Sequence, residues 1–356
     1  MKFPFMSSIR ERGSASASSE TSPTDHLISV IIIAHNSKSF LREALQSVAT
    51  QTLSRDKFEI LLVKNFRDEE IETLCNELEV KNIYCDAVPA SAKVVEGVKK
   101  SNGKIITLLD YDDRYLSNRL QVILEEFTGD PNLGFFHNSI ECIGKNGEPL
   151  SRGLPLFLRG LNLQRRQLVT DREKNRSSPR MGFSMPDFNG GSIAIRREVV
   201  EFCLPYLQRV QMCVDSLLFY AAWETPFSIM ADPRKLTQYR IHSGSISAES
   251  TMPASQSVAQ TEEFKKVWFD DVQVVLEMVD KGHHAELQRD VRFRMFANRT
   301  MDALWDPSVS RRRAWEIATE LRLYLRPIDL SPGFLKIAMF TLLTLISPRI
   351  LKLFPK

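Results

Sequence analysis

Apolar residues fall into two rhythms along the first third of the chain. Ile28–Ala34 (ISVIIIA) and Phe58–Val63 (FEILLV) are continuous β-branched and aliphatic runs, as in strands buried on both faces. Between them Phe40, Leu41, Ala44, Leu45 and Val48 recur at helical spacing, with Ser37 and Ser39 placed to cap that helix. Asp68–Leu78 predicts a second amphipathic helix, Ile83–Cys85 a short strand and about Ala92–Lys100 a third helix. Ile105–Leu109 (IITLL) predicts a strand that runs directly into Asp110. This βαβαβαβ order implies a parallel sheet with right-handed crossovers, whose ligands sit beyond the carboxyl ends of the strands. The polar residues at those ends are His35 and Asn36, Lys64 and Asn65, and Asp110 to Asp113.

After Pro131 the pattern changes. Leu133–Ile143 followed by Gly144-Lys145-Asn146-Gly147 suggests a β-hairpin. Leu150–Asp187 is polar, with seven arginines from Arg152 to Arg180, and reads either as a solvated excursion or as a flap near an anionic ligand. Ser192–Ile195 predicts a strand, Val214–Trp223 a helix and Thr237–Ile241 another strand. From about Ser255 onward the pattern is helical, including about Ser308–Arg326, and Ser331-Pro332-Gly333 breaks off the last segment. The expected divisions are a disordered leader at 1–26, an α/β domain at 27–250, a helical extension at 251–330 and an apolar, basic tail at 331–356.

Composition narrows the class. A chain of 356 residues with 43% hydrophobic and 26% charged residues is long enough for one large α/β core and a helical appendage. The net charge of +3 gives no argument for nucleic acid, and none is expected as a partner. The surplus is uneven: Glu286–Lys356 holds thirteen Lys and Arg against seven Asp and Glu, a net of +6. Within it Phe334–Ile346 is apolar except for Lys336, Thr341 and Thr344, shorter than the roughly 20 residues that span a bilayer. Residues 334–354 are therefore expected to lie on an anionic membrane surface. The alternatives are a helix packed on the protein or a partner subunit, and a tilted span. The five scattered cysteines, without CxxC spacing, predict free thiols in a reducing compartment. Met1–His26 lacks the apolar core of a signal peptide, so the expected location is cytoplasmic, peripheral to the inner face of the cell membrane.

Asp110, Asp112 and Asp113 crowd three carboxylates at a strand end, where they repel unless a cation neutralises them. One or two carboxylates together with substrate phosphates are the usual way of holding Mg²⁺ or Mn²⁺. The competing reading is a negative first turn ahead of a helix at Leu116–Phe127.

Ile28–Thr52 (ISVIIIAHNSKSFLREALQSVATQT) and Ser101–Asp113 (SNGKIITLLDYDD) resemble the opening and the metal-binding strand end of family 2 glycosyltransferases. Phe188–Val200 (FNGGSIAIRREVV) resembles the family's acceptor-side segment, which here includes Asn189, Gly190 and Gly191. Val214–Trp223 (VDSLLFYAAW) resembles its base-bearing helix and Tyr239–Ser247 (YRIHSGSIS) its closing motif. In style the chain is similar to archaeal members.

The resemblance, from about Ile28 to Ser247, implies a GT-A fold, a Rossmann-like mixed sheet, here with a C-terminal helical extension. It also implies an inverting, metal-dependent transferase that uses a nucleotide-diphosphate sugar donor and a glycan or lipid-linked acceptor. It makes Asp112 and His242 metal or diphosphate ligands and Asp110 a support for the metal or the ribose. His35 and Asn36 would border the base and ribose, and Asp215 would be the general base. A helix cap remains the alternative for Asp215, and a core or water-bridged histidine for His242.

Two departures bear on the nucleotide. Lys64-Asn65-Phe66-Arg67 stands where the family often has Asp-Asp-Gly-Ser, so Lys64 and Asn65 are expected to meet phosphate or a differently placed base. Gly97 is kept, but Val94 and Val95 replace an Arg-Asn pair. No GxGxxG or GxxxxGK[ST] is present, which argues against dinucleotide and P-loop enzymes. Ala34-His35-Asn36-Ser37 lacks the Gly-rich basic loop of nucleotidyltransferases. A degenerate sugar- or partner-binding subunit is the remaining rival.

Overall fold

The computed structural model describes residues 27–150, 163–174, 189–242, 254–305, 310–321, 338–339 and 342–343. The leader, most of the arginine-rich excursion, residues 243–247 of the last motif and nearly all of the tail lie outside the described residues.

β1 (Ile28–Ala34), β2 (Phe58–Lys64), β3 (Lys81–Tyr84) and β4 (Ile105–Asp110) pair in parallel in the order β3-β2-β1-β4. Helices α1 (Leu41–Ala49), α2 (Glu69–Glu77) and α3 (Ala90–Lys100) connect them. The continuous apolar character of β1 follows from its two burdens. Val30, Ile32 and Ala34 face a core with α1, α2 and α4 (Arg119–Gly129), whereas Ile31 faces the opposite core. Gly97 sits where α3 crosses β1, and a Cβ there would stand 2.5 Å from Cγ2 of Ile31, so only glycine permits that approach.

Past β4 the sheet becomes mixed. Its strands run β4, β8 (Ile193–Arg196), β6 (Leu133–Ile143), β9 (Ser228–Arg240), β5 (Arg114–Tyr115), and β7 (Gln167–Val169) also pairs with β9. β8 is antiparallel to both β4 and β6, while β6 and β9 are parallel. Short α5 (Asp171–Lys174), then α6 (Arg197–Leu207) and α7 (Val214–Glu224) lie between strands in the chain, and α8 (Ala254–Asp280), α9 (Ala285–Trp305) and α10 (Arg311–Leu321) follow. Val275, Met278 and Val279 of α8 and Leu287 of α9 share one buried core with α3, α6 and α7. The helical extension thus closes one face of the sheet.

Three local expectations change. Ser37 and Ser39 do not cap α1: Phe40 precedes it without a side-chain cap, because the Lys38 carbonyl already accepts from the Leu41 N–H (3.1 Å). The turn at Gly144–Gly147 returns only as far as one bridge between Ile143 and Pro149, since proline cannot extend a ladder. β6 pairs instead with β9. The strand expected at Thr237–Ile241 is the last part of β9, which begins at Ser228 and whose register shifts between Asp232 and Lys235, around Pro233.

All five cysteines are buried and none forms a disulfide. Among the described residues no helix is long and apolar enough to cross a membrane.

Candidate active site

The carboxyl end of β4 delivers the acidic cluster. Tyr111 N–H donates to the Ile33 carbonyl (3.1 Å), tying the turn to β1, and Asp113 N–H donates back to the Asp110 carbonyl (3.2 Å). None of these carboxylates caps a helix, because α4 starts only at Arg119, after Asn118. Asp112 and Asp113 have different surroundings. Asp113 is buried and accepts from the Arg240 N–H (2.9 Å) and from Asn189 Nδ2 (3.3 Å). Asp112 is half-buried, with Oδ2 3.0 Å from His242 Nε2.

Burial and crowding make two of these carboxyls weaker acids. Asp110 is pushed up to about 7 by burial and by the charges of Asp112 and Asp215. Asp113 is held well above the ordinary carboxylate range by burial and by Asp112 and Asp110, although its two hydrogen bonds pull the other way. Asp215 therefore lies within electrostatic reach of Asp110, although 105 positions separate them in the chain. Asp215 is the second residue of α7, and its Oδ1 accepts from the Ser216 N–H (2.8 Å). Cys213 precedes the helix, so Asp215 is not its N-cap.

Arg240, fully buried, is the hub that sequence reasoning missed. Its guanidinium donates to the Asp112 carbonyl (2.8 Å), to the Lys145 carbonyl (2.8 Å) and to Glu43 Oε2 (2.7 Å). It also lies 4.4 Å from the Phe40 ring centre, and that ring is 4.9 Å from the His242 ring. Glu43 binds Arg114 as well (3.0 Å). The available signal was Arg240 itself, two residues before His242 in the closing motif.

The residues expected to meet the nucleotide lie at the ends of β1 and β2. Asn36 takes a left-handed backbone (φ +53), which asparagine tolerates. Its N–H donates to Asn65 Oδ1 (2.8 Å), and Asn65 Nδ2 donates back to Asn36 Oδ1 (2.6 Å). Burial and nearby Lys93 push the His35 imidazole below its ordinary value, and its Nδ1 is buried without a hydrogen-bond partner among the described residues. Lys64 is a correction. Its buried ammonium turns away from the cleft toward the Phe66 carbonyl (2.7 Å) and Glu72 (3.3 Å), because it continues the Ile60–Leu62 face of β2 under α2.

Asn189 also has a left-handed φ of +66, and its carbonyl accepts from the Ser192 N–H (3.0 Å). Gly191 follows, where a Cβ would stand 2.9 Å from Asn189 Oδ1 and 3.4 Å from Asp113 Oδ2. Gly190 has more room, its nearest neighbour being Leu108 at 3.7 Å. The Asn-Gly-Gly turn therefore supports Asp113 from the β8 side. Beneath it buried Arg119 donates to Asn138, Thr107 and the Ile193 carbonyl (2.8–3.1 Å), and no polar group in that layer was anticipated from sequence.

The donor set can be tested against a divalent ion. Among the described residues no three or more His, Cys, Asp or Glu side chains are grouped to hold one. Asp112 and His242 do form a pair, and their 3.0 Å separation matches the roughly 3 Å between adjacent ligands of an octahedral ion with bonds of about 2.1 Å. Two protein ligands fit an ion whose remaining positions are filled by phosphate and water.

Comparison with known proteins adds the following. Residues 29–202 match the model of Glycosyl transferase family 2. An uncharacterized glycosyltransferase of Rickettsia bellii is 31% identical over 131 residues, 35% of this chain and 18% of that protein. One from Nostoc is 23% identical over 276 residues, 75% of this chain and 81% of that protein. S. aureus TarS 1–349, solved in complex with UDP-GlcNAc, superposes with a TM-score of 0.54 at 13% identity, covering 91% of this chain and 90% of that one. The aligned part spans about a fifth of the length of the Rickettsia relatives. The fold is the GT-A arrangement with added C-terminal helices.

Proposed function

We propose that this chain, whose residues 29–202 match the model of Glycosyl transferase family 2, moves a sugar from a nucleoside-diphosphate donor to an acceptor hydroxyl with Asp215 as general base. The observation that carries the reading is the convergence of Asp110, Asp112, Asp215 and His242 from three distant parts of the chain. Asp112 and His242 would hold Mn²⁺ or Mg²⁺ against the diphosphate. A bound divalent ion would neutralise the charge of the departing nucleoside diphosphate.

The remaining roles belong to side chains. Asp215 accepts the proton of the attacking hydroxyl, and its neighbour Asp110, a weakened acid pushed up to about 7, marks a site that disfavours crowded negative charge. A single base on the acceptor side suits inversion at the sugar carbon. The unpartnered Nδ1 of His35 offers a contact to the nucleoside, beside the Asn36–Asn65 pair. Asn189, Gly190 and Gly191 line the acceptor side. TarS was solved with UDP-GlcNAc, which makes a UDP-sugar the first donor to try.

A lipid-linked or cell-envelope acceptor follows from the basic, apolar tail, with the protein peripheral to the cytoplasmic face. The arginines at 311–313 and exposed Trp315 on α10 add to that basic surface.

A thermal-shift panel of UDP-, GDP- and dTDP-sugars, with and without Mn²⁺ or Mg²⁺, tests the proposal. Metal-dependent stabilisation that disappears in Asp112→Ala is expected. Stabilisation by none of the donors would sink it and favour a catalytically degenerate binding subunit. Deleting Pro332–Lys356 should release the protein from membranes, and unchanged partitioning would remove the tail from the account.

A further inference from the structure

Helix α7 carries the candidate base, and the loop that enters it is held from two sides: Ser91 of α3 donates to the Val210 carbonyl, and α8 takes the amides that follow. Three consecutive amides lead into it, and all three donate to one side chain of α8. Gln211 N–H meets Asp271 Oδ1 at 2.8 Å, while Met212 and Cys213 N–H meet Oδ2 at 2.8 and 2.9 Å. Asp271 is 1% exposed, so these bonds form away from water, where a carboxylate bound by successive amides is strongly and directionally held. The last of these amides belongs to the residue just before α7, two positions from Asp215. The other end of the helix is held too. Glu224 accepts from the His283 N–H (3.0 Å) and lies 3.1 Å from His284 Nδ1, while buried Lys174 donates to the carbonyls of Ala222, Thr225 and Phe227.

We propose that Asp271, through its clamp on the 211–213 amides, is the positioning residue that sets Asp215 for proton transfer, so that the helical extension is part of the catalytic apparatus. The inference rests on the transferase reading of Asp215. A carboxylate displaced by about 1 Å from its reacting partner loses about a hundredfold in rate. Donor binding depends on β1, β2 and β4, which Asp271 does not touch.

The test follows nucleoside diphosphate released from UDP-GlcNAc, GDP-mannose and dTDP-glucose with Mn²⁺, water serving as acceptor. Water attacks the sugar carbon, its proton passes to Asp215, and the diphosphate leaves with the bonding electrons. Asp271→Asn, nearly isosteric, should lower kcat by about ten- to a hundredfold with donor KM changed less than about twofold. Combined with Asp215→Asn it should add no further loss, because the clamp acts only through that base. Glu277→Gln, which breaks the exposed Arg209 pair on the same helix, should leave turnover intact. Losses that multiply in the double variant, or a KM rise as large as the kcat fall, would overturn the proposal.

Hydrogen exchange supplies an arm independent of activity. Asp271→Asn should speed exchange at 211–218 while β1–β4 amides keep their protection, and unchanged protection at 211–218 would overturn the clamp. If the unaltered protein releases no diphosphate from any donor, the transferase reading fails separately, and with it the assignment of Asp215.

Discussion

The two banks of the cleft are held by different forces. On the nucleotide side Asn36 and Asn65 meet across 29 residues through neutral amides at exposed positions. On the β4 side Asp113, Asp112, Arg240 and Glu43 meet across 127 to 197 residues, through the buried Asp113 carboxylate and a guanidinium without solvent access, with Glu43 reaching in from a partly exposed position. Exposed neutral contacts add little stability, so the first bank can change its residues cheaply, as the sequence Lys64-Asn65 already shows. Buried charges cost several kcal/mol when one partner is removed, so the second bank is fixed.

The sharpest way to break this contrast is at the base. Asp215→Asn should cut turnover by about 10²- to 10⁴-fold while thermal-shift binding of the donor persists. Full activity would remove Asp215 from the mechanism. Next, Arg240→Leu should destabilise the protein by about 1.5–3 kcal/mol in denaturant unfolding, because the Asp112 and Lys145 carbonyls lose a charged donor inside the fold and partly exposed Glu43 loses its partner. A loss no larger than that of Asn65→Ala, about 1 kcal/mol, would erase the distinction between the banks.

Asp110 gives the contrast a pH signature. Its carboxyl titrates near 7 when folded and near the ordinary carboxylate value when unfolded, so between those values the folded state binds more protons. Stability of the metal- and nucleotide-free protein should therefore fall as pH rises from about 4 to 7, by at most about 4 kcal/mol at roughly 1.4 kcal/mol per pH unit. Melting curves of Asp110→Asn should lose Asp110's part of that slope, with buried Asp113 keeping its own, and an unchanged slope would assign it to other groups. Gly191→Ala should cost about 1–3 kcal/mol, since Asn189 Oδ1 must give way. The smallest change is expected at the exposed Arg42–Glu70 pair, where Arg42→Ala should shift stability by about 0.5 kcal/mol or less.

Much of this was legible because strand ends carry local signals. The apolar runs of β1, β2 and β4 predicted the parallel half of the sheet, and the acids after β4 marked the candidate site. Asp215 and His242 came from ordered motifs, and the structure brings both to that strand end. Lys64 was misread although period two alone would have turned it toward α2, with Ile60 and Leu62. The Glu43–Arg240 pair left no local trace, because neither residue interrupts the periodicity of its own element. Nor did Asp271, which sits in a helix whose polar positions look like any solvated face. The pairing of β6 with β9 was hidden for the same reason, its partners lying about ninety residues apart.

Order of synthesis gives the Asp113–Arg240 bond a meaning in time. The acidic turn leaves the ribosome 127 residues before the amide that will bind it, an interval of about 6–25 s at 5–20 residues per second. Throughout that interval the parallel pairs of β3, β2, β1 and β4 can form, whereas β4 still waits for β8 and Asp113 for the Arg240 amide. The nascent chain therefore gains the parallel half of its sheet before its site, and a truncated product ending before β9 would lack both the amide that holds Asp113 and the imidazole beside Asp112.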